Sequence, residues 1–170
     1  MEKSKLKEWL SAFVEAIIIA VVLYFLAWPF LIEGSSMEST FETGDRVFVS
    51  RLCAYLNLID YNDIILCKVK YEGNEEIIVK RVIGKPGDHI VIKDKQVYIN
   101  DCALIEPYIK APFSTDGSID ITLEDNEYYV LGDNRQKSTD SRFFGAVNKS
   151  DIEAEVIFRW YPFDKMDFIP

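Results

Sequence analysis

The sequence predicts a mainly β protein, in which an antiparallel, coiled and barrel-like β-sheet domain follows one N-terminal transmembrane α-helix. Three observations support this fold class. An apolar run of membrane length lies near the N-terminus. Short segments rich in β-branched and aromatic residues follow it, separated by turn residues. Helical periodicity after residue 33 is weak, and residues 52–58 alone offer about two helical turns.

The predicted anchor covers residues 9–32. From residue 16 to residue 32 every side chain is apolar or aromatic, apart from Pro29. Trp9 and Trp28 are 19 positions apart, which is about 28 Å along a helix at ~1.5 Å per residue. This length is close to the ~30 Å of bilayer hydrocarbon, and tryptophan favours both interfaces. Pro29 disfavours further helix after Trp28.

The charges beside the anchor predict its orientation. Lysines at positions 3, 5 and 7 precede the span, and positive flanks stay on the cytoplasmic side. Residues 1–8 are therefore predicted to be cytoplasmic and residues 33–170 to form an extracytoplasmic domain. A cleaved secretory signal peptide is the alternative, but the apolar core is longer than the usual 7–15 residues of such a peptide. Glu15 is evidence against the predicted anchor, because placing a carboxylate within the membrane span costs a few kcal/mol of insertion free energy.

Composition excludes several classes of function. The net charge of −9 argues against a nucleic-acid partner, which needs a basic footprint. With a single histidine and no ligand spacing, no metal site and no cofactor are expected. The three cysteines form no CxxC pair and are interpreted as small buried or half-buried hydrophobic residues. A Cys53–Cys67 or Cys67–Cys102 disulfide remains open if the domain faces an oxidising space.

Seven segments of the domain are predicted as strands: residues 46–49, 64–69, 77–83, 89–92, 96–99, 128–131 and 156–160. Residues 93–95 between the fourth and fifth strands are a candidate hairpin turn. Because short strands with tight turns favour neighbouring antiparallel pairs, the domain is expected to be one coiled, barrel-like β core.

A serine lies in the loop between the anchor and the first predicted strand of the domain. Ser36 follows the anchor by four residues, within roughly 13 Å of its end at ~3.3 Å per residue. Gly34 leaves room for another backbone to approach. A site so near the bilayer suits a membrane-tethered substrate, because both partners then search a surface. An ordinary loop serine is the alternative, since a nucleophilic serine also needs a base.

Lys80 is the candidate base. Alternation along the strand places it on the same face as Ile78 and Val82. An ordinary lysine, with a pKa of ~10.4, is neutral in about one molecule per thousand near pH 7. Burial that lowers the pKa by about two to three units makes it a usable base, at a cost of about 3–4 kcal/mol. An exposed strand lysine is the alternative, and His89, which follows a turn, is not favoured as a base.

A third segment, residues 132–145, is unusually rich in groups that can lock one another. Asp133, Asp140 and Arg142 can form charge-assisted hydrogen bonds that fix this loop. Ser138 or Ser141 can accept a proton from Lys80 or orient its amine. A long polar loop without a chemical role is the alternative.

At these three segments the chain resembles the type I signal peptidases, in the short, single-span form of Gram-positive bacteria. The family's Ser-Met-x-Pro-Thr box matches residues 36–40, with Ser39 in place of the proline, and Phe41 follows in place of the usual leucine. Residues 80–88 match its Lys-Arg-(Val/Ile)-(Ile/Val)-Gly-x-Pro-Gly-Asp box, and residues 132–142 match its Gly-Asp-Asn-Arg-x-x-Ser-x-Asp-Ser-Arg box. The resemblance covers nearly all of residues 33–160.

The resemblance implies a role for each matched residue. Ser36 resembles the nucleophile, Lys80 the general base, and Ser138 the hydroxyl that orients the lysine amine. The backbone N–H of Ser36 resembles one oxyanion donor, and Gly34 lacks the hydroxyl that some members add at its position. The supporting shell would consist of Asp133, Asp140, Arg81 and Arg142.

The implied activity is an endopeptidase that removes signal peptides from exported pre-proteins, with the lipid bilayer as its other partner and a monomer as its expected state. An extended peptide would present small side chains to shallow apolar pockets, for which the candidate residues are Met37, Ile78, Val79 and Val82. Another class of serine–lysine protease, such as a self-cleaving repressor, is an alternative. Such proteins are cytoplasmic and unanchored, which conflicts with the predicted anchor at residues 9–32. A non-enzymatic, membrane-tethered β domain that binds an envelope partner remains an alternative, in which Ser36 and Lys80 need not meet.

Overall fold

The structure is a computed structural model that describes residues 2–109 and 114–169. It begins with a long helix, α1 (Glu2–Leu26), of which Lys5–Leu26 is long and apolar enough to cross a membrane and is not buried against the domain. The predicted anchor is corrected at its C-terminal end, because Trp28–Leu31 forms a strand, β1. Pro29 explains the change: it cannot donate a helical hydrogen bond, and it disfavours the helical conformation of the preceding residue.

The remaining elements are mainly strands, in chain order β2 (Arg46–Ser50), β3 (Ile64–Tyr71), β4 (Asn74–Gly84), β5 (His89–Lys93), β6 (Gln96–Ile99), β7 (Cys102–Ala103), β8 (Ile119–Thr122), β9 (Glu127–Leu131), β10 (Val147–Asn148), β11 (Ile152–Tyr161) and β12 (Asp167–Phe168). Two short α-helices interrupt them, α2 (Arg51–Leu56) and α3 (Ser141–Phe144). Single turns of 3₁₀ helix lie at Lys149–Asp151 and Phe163–Lys165. Each of the seven predicted strands is present.

Every strand pair is antiparallel, and the strands form two sheets. The larger sheet has the order β1-β2-β11-β3-β4-β9-β10, with β12 paired to β11, and the smaller has the order β7-β6-β5-β8. Register shifts in the pairing of β11 with both of its neighbours coil the larger sheet. The mainly antiparallel β prediction is confirmed, although over the described residues the larger sheet stays open from β1 to β10 and does not close into a barrel.

The predicted hairpin joins β5 to β6. Asp94 and Lys95 both have positive φ, 51° and 64°, as the two central residues of a type I′ turn require.

Three buried clusters organise the core. The loop between β1 and β2, residues 32–45, contains Ser36, and we call it the Ser36 loop. One cluster packs Met37 and Phe41 of this loop against β2, β3 and β11. Buried side chains therefore hold the loop on the C-terminal side of Ser36.

The cysteines form no disulfide. Cys67 is buried, Cys53 is half-buried and Cys102 is exposed, and all three are free. The two disulfides that the sequence left open are therefore not formed. Burial raises the pKa of the Cys67 thiol to about 12, which keeps it an inert member of the core cluster shared with Val82.

Candidate active site

Ser36 and Lys80 meet at the centre of the site. The Lys80 Nζ atom lies 2.8 Å from Ser36 Oγ and 3.0 Å from the carbonyl oxygen of Val79. Ser36 comes from the loop after β1, and Lys80 comes from the middle of β4, 44 positions later in the chain. This spacing is within hydrogen-bond range, which is the geometry that a nucleophile and its base require.

Lys80 is buried although its side chain carries an amine. Only 3% of its surface is exposed, because β4 pairs with β3 on one side and Ile65 lies directly opposite in the register. Desolvation lowers the pKa of the Lys80 amine below its ordinary value of 10.5, while the more distant charges of Asp140, Cys67 and Asp133 oppose this shift. The desolvation is the larger effect, so the neutral amine is favoured.

The next residue of β4, Arg81, points to the opposite face and is fully paired. Its Nε donates to Asp133 Oδ1 at 2.9 Å, and its Nη2 donates to Asp133 Oδ2 at 2.7 Å. Thr40 Oγ1 donates to the same carboxylate at 2.5 Å, and this bond connects the Ser36 loop to the ion pair of Arg81 and Asp133. The Asn62 carbonyl accepts from Arg81 Nη1 at 2.8 Å. Asp133 is therefore a structural partner of Arg81 and does not hydrogen-bond Lys80.

The loop after β9 is locked by a second buried pair. Arg142 Nε and Nη2 donate to the two oxygens of Asp140 at 2.8 and 2.9 Å. Asp140 also accepts from the Gly132 N–H at 3.1 Å and caps α3 through the Arg142 N–H. The structure thus shows the charge-assisted bonds that the sequence predicted for Asp133, Asp140 and Arg142.

Asn134 binds the Ser36 loop directly, and sequence reasoning missed this residue. Its backbone N–H donates to the Ser36 carbonyl at 2.9 Å, and its Nδ2 donates to the Ser35 carbonyl at 3.0 Å. Gly132 permits this close approach, since a Cβ there would lie 2.6 Å from the Ser36 carbonyl oxygen and 2.2 Å from Ser138 Oγ. The signal was the asparagine within the Gly-Asp-Asn-Arg segment.

The two loop serines differ in their contacts. Ser141 Oγ accepts from the Val130 N–H at 3.0 Å, so it supports β9 and does not orient Lys80. Ser138 Oγ is buried beside Gly132 and has no hydrogen-bond partner among the described residues. The bond between Ser138 and Lys80 that the resemblance implies is therefore not made in this structure.

The backbone around Ser36 combines a glycine conformation at Gly34 with an N–H group of Ser36 that has no acceptor among the described residues. Gly34 has a φ of 89°, a conformation that favours glycine. Its carbonyl accepts from Thr43 Oγ1 at 2.9 Å. Within the described part of the chain the Ser36 N–H finds no acceptor, so it is free to donate to an oxyanion.

The predicted pocket residues divide into two pairs. Met37 and Val82 are 2% and 0% exposed and belong to separate core clusters, so neither offers surface to a peptide in this structure. Val79 and Ile78 are half-buried. Ile78 lines a cleft of about 250 Å³, which we call the Ile78 cleft and whose walls include Val69, Tyr71, Glu76, Thr139 and Phe144. Alternation along β4 predicted the faces of Ile78, Val79 and Val82, but it did not predict the depth of Val82, and it does not apply to Met37, which lies in a loop.

The site places a loop serine beside a buried lysine amine, and comparison with known proteins gives the class as a serine endopeptidase: the family model described as signal peptidase, peptidase S26, matches residues 6–161. Signal peptidase I S of Bacillus subtilis strain 168 is 34% identical over 177 aligned positions, covering 97% of this chain and 94% of that protein. This chain therefore belongs to the S26 family of signal peptidases.

Other relatives extend the same match. Signal peptidase I U of Bacillus subtilis strain 168 is 36% identical and covers 90% of this chain and 85% of that protein. Signal peptidase I of Bacillus caldolyticus is 36% identical and covers 92% of this chain and 91% of its own length. A solved structure of a signal peptidase I from Enterococcus faecalis V583 has a TM-score of 0.49 and 29% identity, over 57% of this chain and 95% of that one.

Proposed function

We propose that this chain removes N-terminal signal peptides from exported pre-proteins, with Ser36 as the nucleophile and Lys80 as the general base. One observation carries the assignment: the 2.8 Å contact between Lys80 Nζ and Ser36 Oγ at an amine that is almost fully buried. Membership of the S26 family supplies the reaction class. A non-enzymatic envelope-binding domain would give no reason for this contact or for the desolvation of a lysine.

The chemistry follows from the lowered pKa of Lys80. The neutral amine accepts the hydroxyl proton of Ser36 as Oγ attacks the scissile carbonyl carbon. The resulting oxyanion is stabilised by the free N–H of Ser36. Protonated Lys80 then gives its proton to the leaving amine, and the peptide bond breaks to leave an ester on Ser36. Lys80 next accepts a proton from water as the water oxygen attacks the ester carbonyl, and it gives that proton to Ser36 Oγ as the bond between Oγ and the acyl group breaks. The acid product leaves, and both Ser36 and neutral Lys80 are restored.

The sheet offers an edge for an extended substrate. β4 pairs with β3 from Asn74 to Arg81, but it pairs with β9 only at Arg81, Val82 and Gly84. Among the described residues, the part of β4 from Asn74 to Lys80 therefore has no strand on that side. A peptide that adds there would run past Lys80, with Ile78 and Val79 beside its small side chains. This supports cleavage after small residues.

The membrane placement is part of the same proposal. α1 crosses the bilayer once, with residues 1–8 in the cytoplasm and the domain, which begins with β1, outside. Only Ala27 separates α1 from β1, so the domain stays near the bilayer. Several large apolar side chains of β1, of β12 and of the segment before β12 are exposed and suit contact with lipid: Trp28, Leu31, Phe163, Met166 and Phe168. Because one chain supplies every group of the site, a monomer suffices.

The test is cleavage of a model pre-protein by the full chain in detergent micelles. Ser36→Ala and Lys80→Ala are each expected to abolish cleavage while the circular dichroism spectrum and melting temperature stay near those of the wild type. Ser118→Ala and Lys70→Ala, which change an exposed serine and an exposed strand lysine, are the matched controls and should retain full activity. Cleavage at the wild-type rate by either dyad variant would refute the assignment.

A further inference from the structure

We propose that Ser39 is a positioning residue for the nucleophile, and that it acts through a hydrogen bond to the backbone of Tyr108. The Ser39 Oγ atom donates to the Tyr108 carbonyl at 2.7 Å, across 69 positions of sequence. Ser39 is three residues beyond Ser36 and lies in the same loop. This inference rests on the proposed role of Ser36 and assigns a function to the residue that departs from the family's first box.

The backbone at Ser39 is strained, which indicates that its conformation is imposed by its surroundings. Its φ is 111°, in a region that favours glycine and costs other residues about 1–3 kcal/mol. Proline has φ near −65° and cannot occupy this backbone. The loop of this chain therefore differs from one built with proline, and the Ser39 hydroxyl provides a tether where a proline ring would provide stiffness.

The acceptor of this bond belongs to a firmly held segment, residues 104–109, which follows the smaller sheet. The Arg81 guanidinium lies 4.1 Å from the centre of the Tyr108 ring. The Tyr108 hydroxyl donates to Glu106 Oε1 at 3.0 Å. Glu106 in turn pairs with Arg135 through both carboxylate oxygens, and both of these side chains are largely buried. A hydrogen bond to Tyr108 is therefore a bond to a rigid support.

The same segment also supports the other side of the nucleophile loop. Arg135, which Glu106 holds, directly follows Asn134 in the chain, and Arg135 Nε donates to the Gly132 carbonyl at 3.0 Å. Asn134 donates to the carbonyls of Ser35 and Ser36. Residues 104–109 thus fix the loop before the nucleophile through Arg135 and Asn134, and after the nucleophile through Ser39.

Loss of the Ser39 bond is expected to loosen one side of this arrangement. The Ser36 hydroxyl would then sample positions away from Lys80 and from the scissile carbon, and a misplacement of about 1 Å can lower the rate about 100-fold. Ser39 is not among the residues that line the Ile78 cleft. We therefore expect the defect in kcat, with KM within about twofold of the wild-type value.

Two variants separate positioning from a purely structural role. Ser39→Ala and Ser39→Gly both lack the hydroxyl, but glycine tolerates a φ of 111° and alanine does not. Ser39→Gly should therefore be the more stable of the two in thermal unfolding, whereas kcat should fall about 10-fold or more in both, to a similar value. A structural role alone predicts instead that activity follows stability, so that Ser39→Gly recovers.

The experiment measures kcat, KM and the single-turnover acylation rate of the full chain in detergent micelles, with Ser36→Ala in parallel. An equal loss of acylation rate in Ser39→Ala and Ser39→Gly, partly rescued in Ser39→Thr, supports the proposal. Wild-type kcat in Ser39→Gly, with Ser36→Ala inactive, would overturn the proposal for Ser39 and leave the dyad intact. Activity in Ser36→Ala would overturn the dyad itself.

Discussion

Two adjacent basic residues of β4 are buried in opposite electrostatic surroundings. Lys80 and Arg81 are 3% and 5% exposed and point to opposite faces of the same strand. Arg81 binds both oxygens of Asp133. Among the described residues Lys80 has no ion pair, and its amine contacts a hydroxyl and a carbonyl, both of them uncharged. The buried guanidinium therefore has a counter-charge, whereas the buried amine has none.

This difference gives two adjacent residues different roles: Arg81 supports the structure, and Lys80 supplies the proposed base. A buried cation with a bidentate carboxylate keeps its charge and fixes the loops that share the carboxylate. A buried amine without such a partner favours its neutral form, which is the form that can accept a proton. One face of β4 therefore carries the ion pair of Arg81 and Asp133, and the other face carries the Lys80 amine beside Ser36.

The sharpest way to break this comparison is to give position 80 the side chain of position 81. Lys80→Arg keeps a cation at this position, but the new side chain cannot act as a base, because a guanidinium does not deprotonate in proteins. We expect kcat/KM to fall about 10⁴-fold or more. Lys80→Met, which has a similar length without charge, should fold and be equally inactive in the pre-protein assay. Substantial activity in either variant would contradict the role of the neutral amine.

The reciprocal change removes the partner of Arg81. Asp133→Asn keeps the shape of the side chain but leaves a buried guanidinium without a counter-charge, which should lower the free energy of unfolding by about 3–5 kcal/mol. The matched control is Asp120→Asn, because Asp120 is an exposed carboxylate that pairs with His89 and should contribute less than about 1 kcal/mol. Equal denaturant midpoints for the two variants would show that the buried pair is not structural.

The third prediction concerns the pH dependence of stability. Because the pKa of Lys80 is lowered in the folded chain, the unfolded chain binds more protons between that pKa and 10.5. Stability should therefore rise with pH across this window, by at most about 1.4 kcal/mol per pH unit. Lys80→Met should lose this part of the slope. A slope that is the same in both proteins, measured by denaturant midpoints, would mean that Lys80 titrates normally.

Much of this arrangement could be predicted from the sequence, because it depends on local pattern. Alternation from residue 78 to residue 83 predicted the opposite faces of Lys80 and Arg81, and the hairpin at Asp94 and Lys95 followed from strand spacing. The charges of the loop after β9 predicted that it would be locked. In each case the determining residues lie close together in the chain.

The parts that sequence reasoning missed depend on contacts between distant segments. The Ser39 bond to Tyr108 spans 69 positions, and no local pattern reveals it. The depth of Met37 in the core is set by β2, β3 and β11, which alternation does not describe. Helix α1 ends at Leu26, shortly before Pro29, and the following residues pair with β2 as β1, whereas the predicted anchor continued to residue 32.

The central claim is that the Lys80 amine is neutral under conditions in which an ordinary lysine is charged. The direct measurement is an NMR titration of the full chain in detergent micelles, with lysine labelled at ¹³Cε and the Lys80 signal assigned by its absence from Lys80→Met. We predict a Lys80 pKa below the ordinary value of 10.5, together with an acid limb of kcat/KM at the same pH. A Lys80 pKa at or above 10.5 would contradict the account.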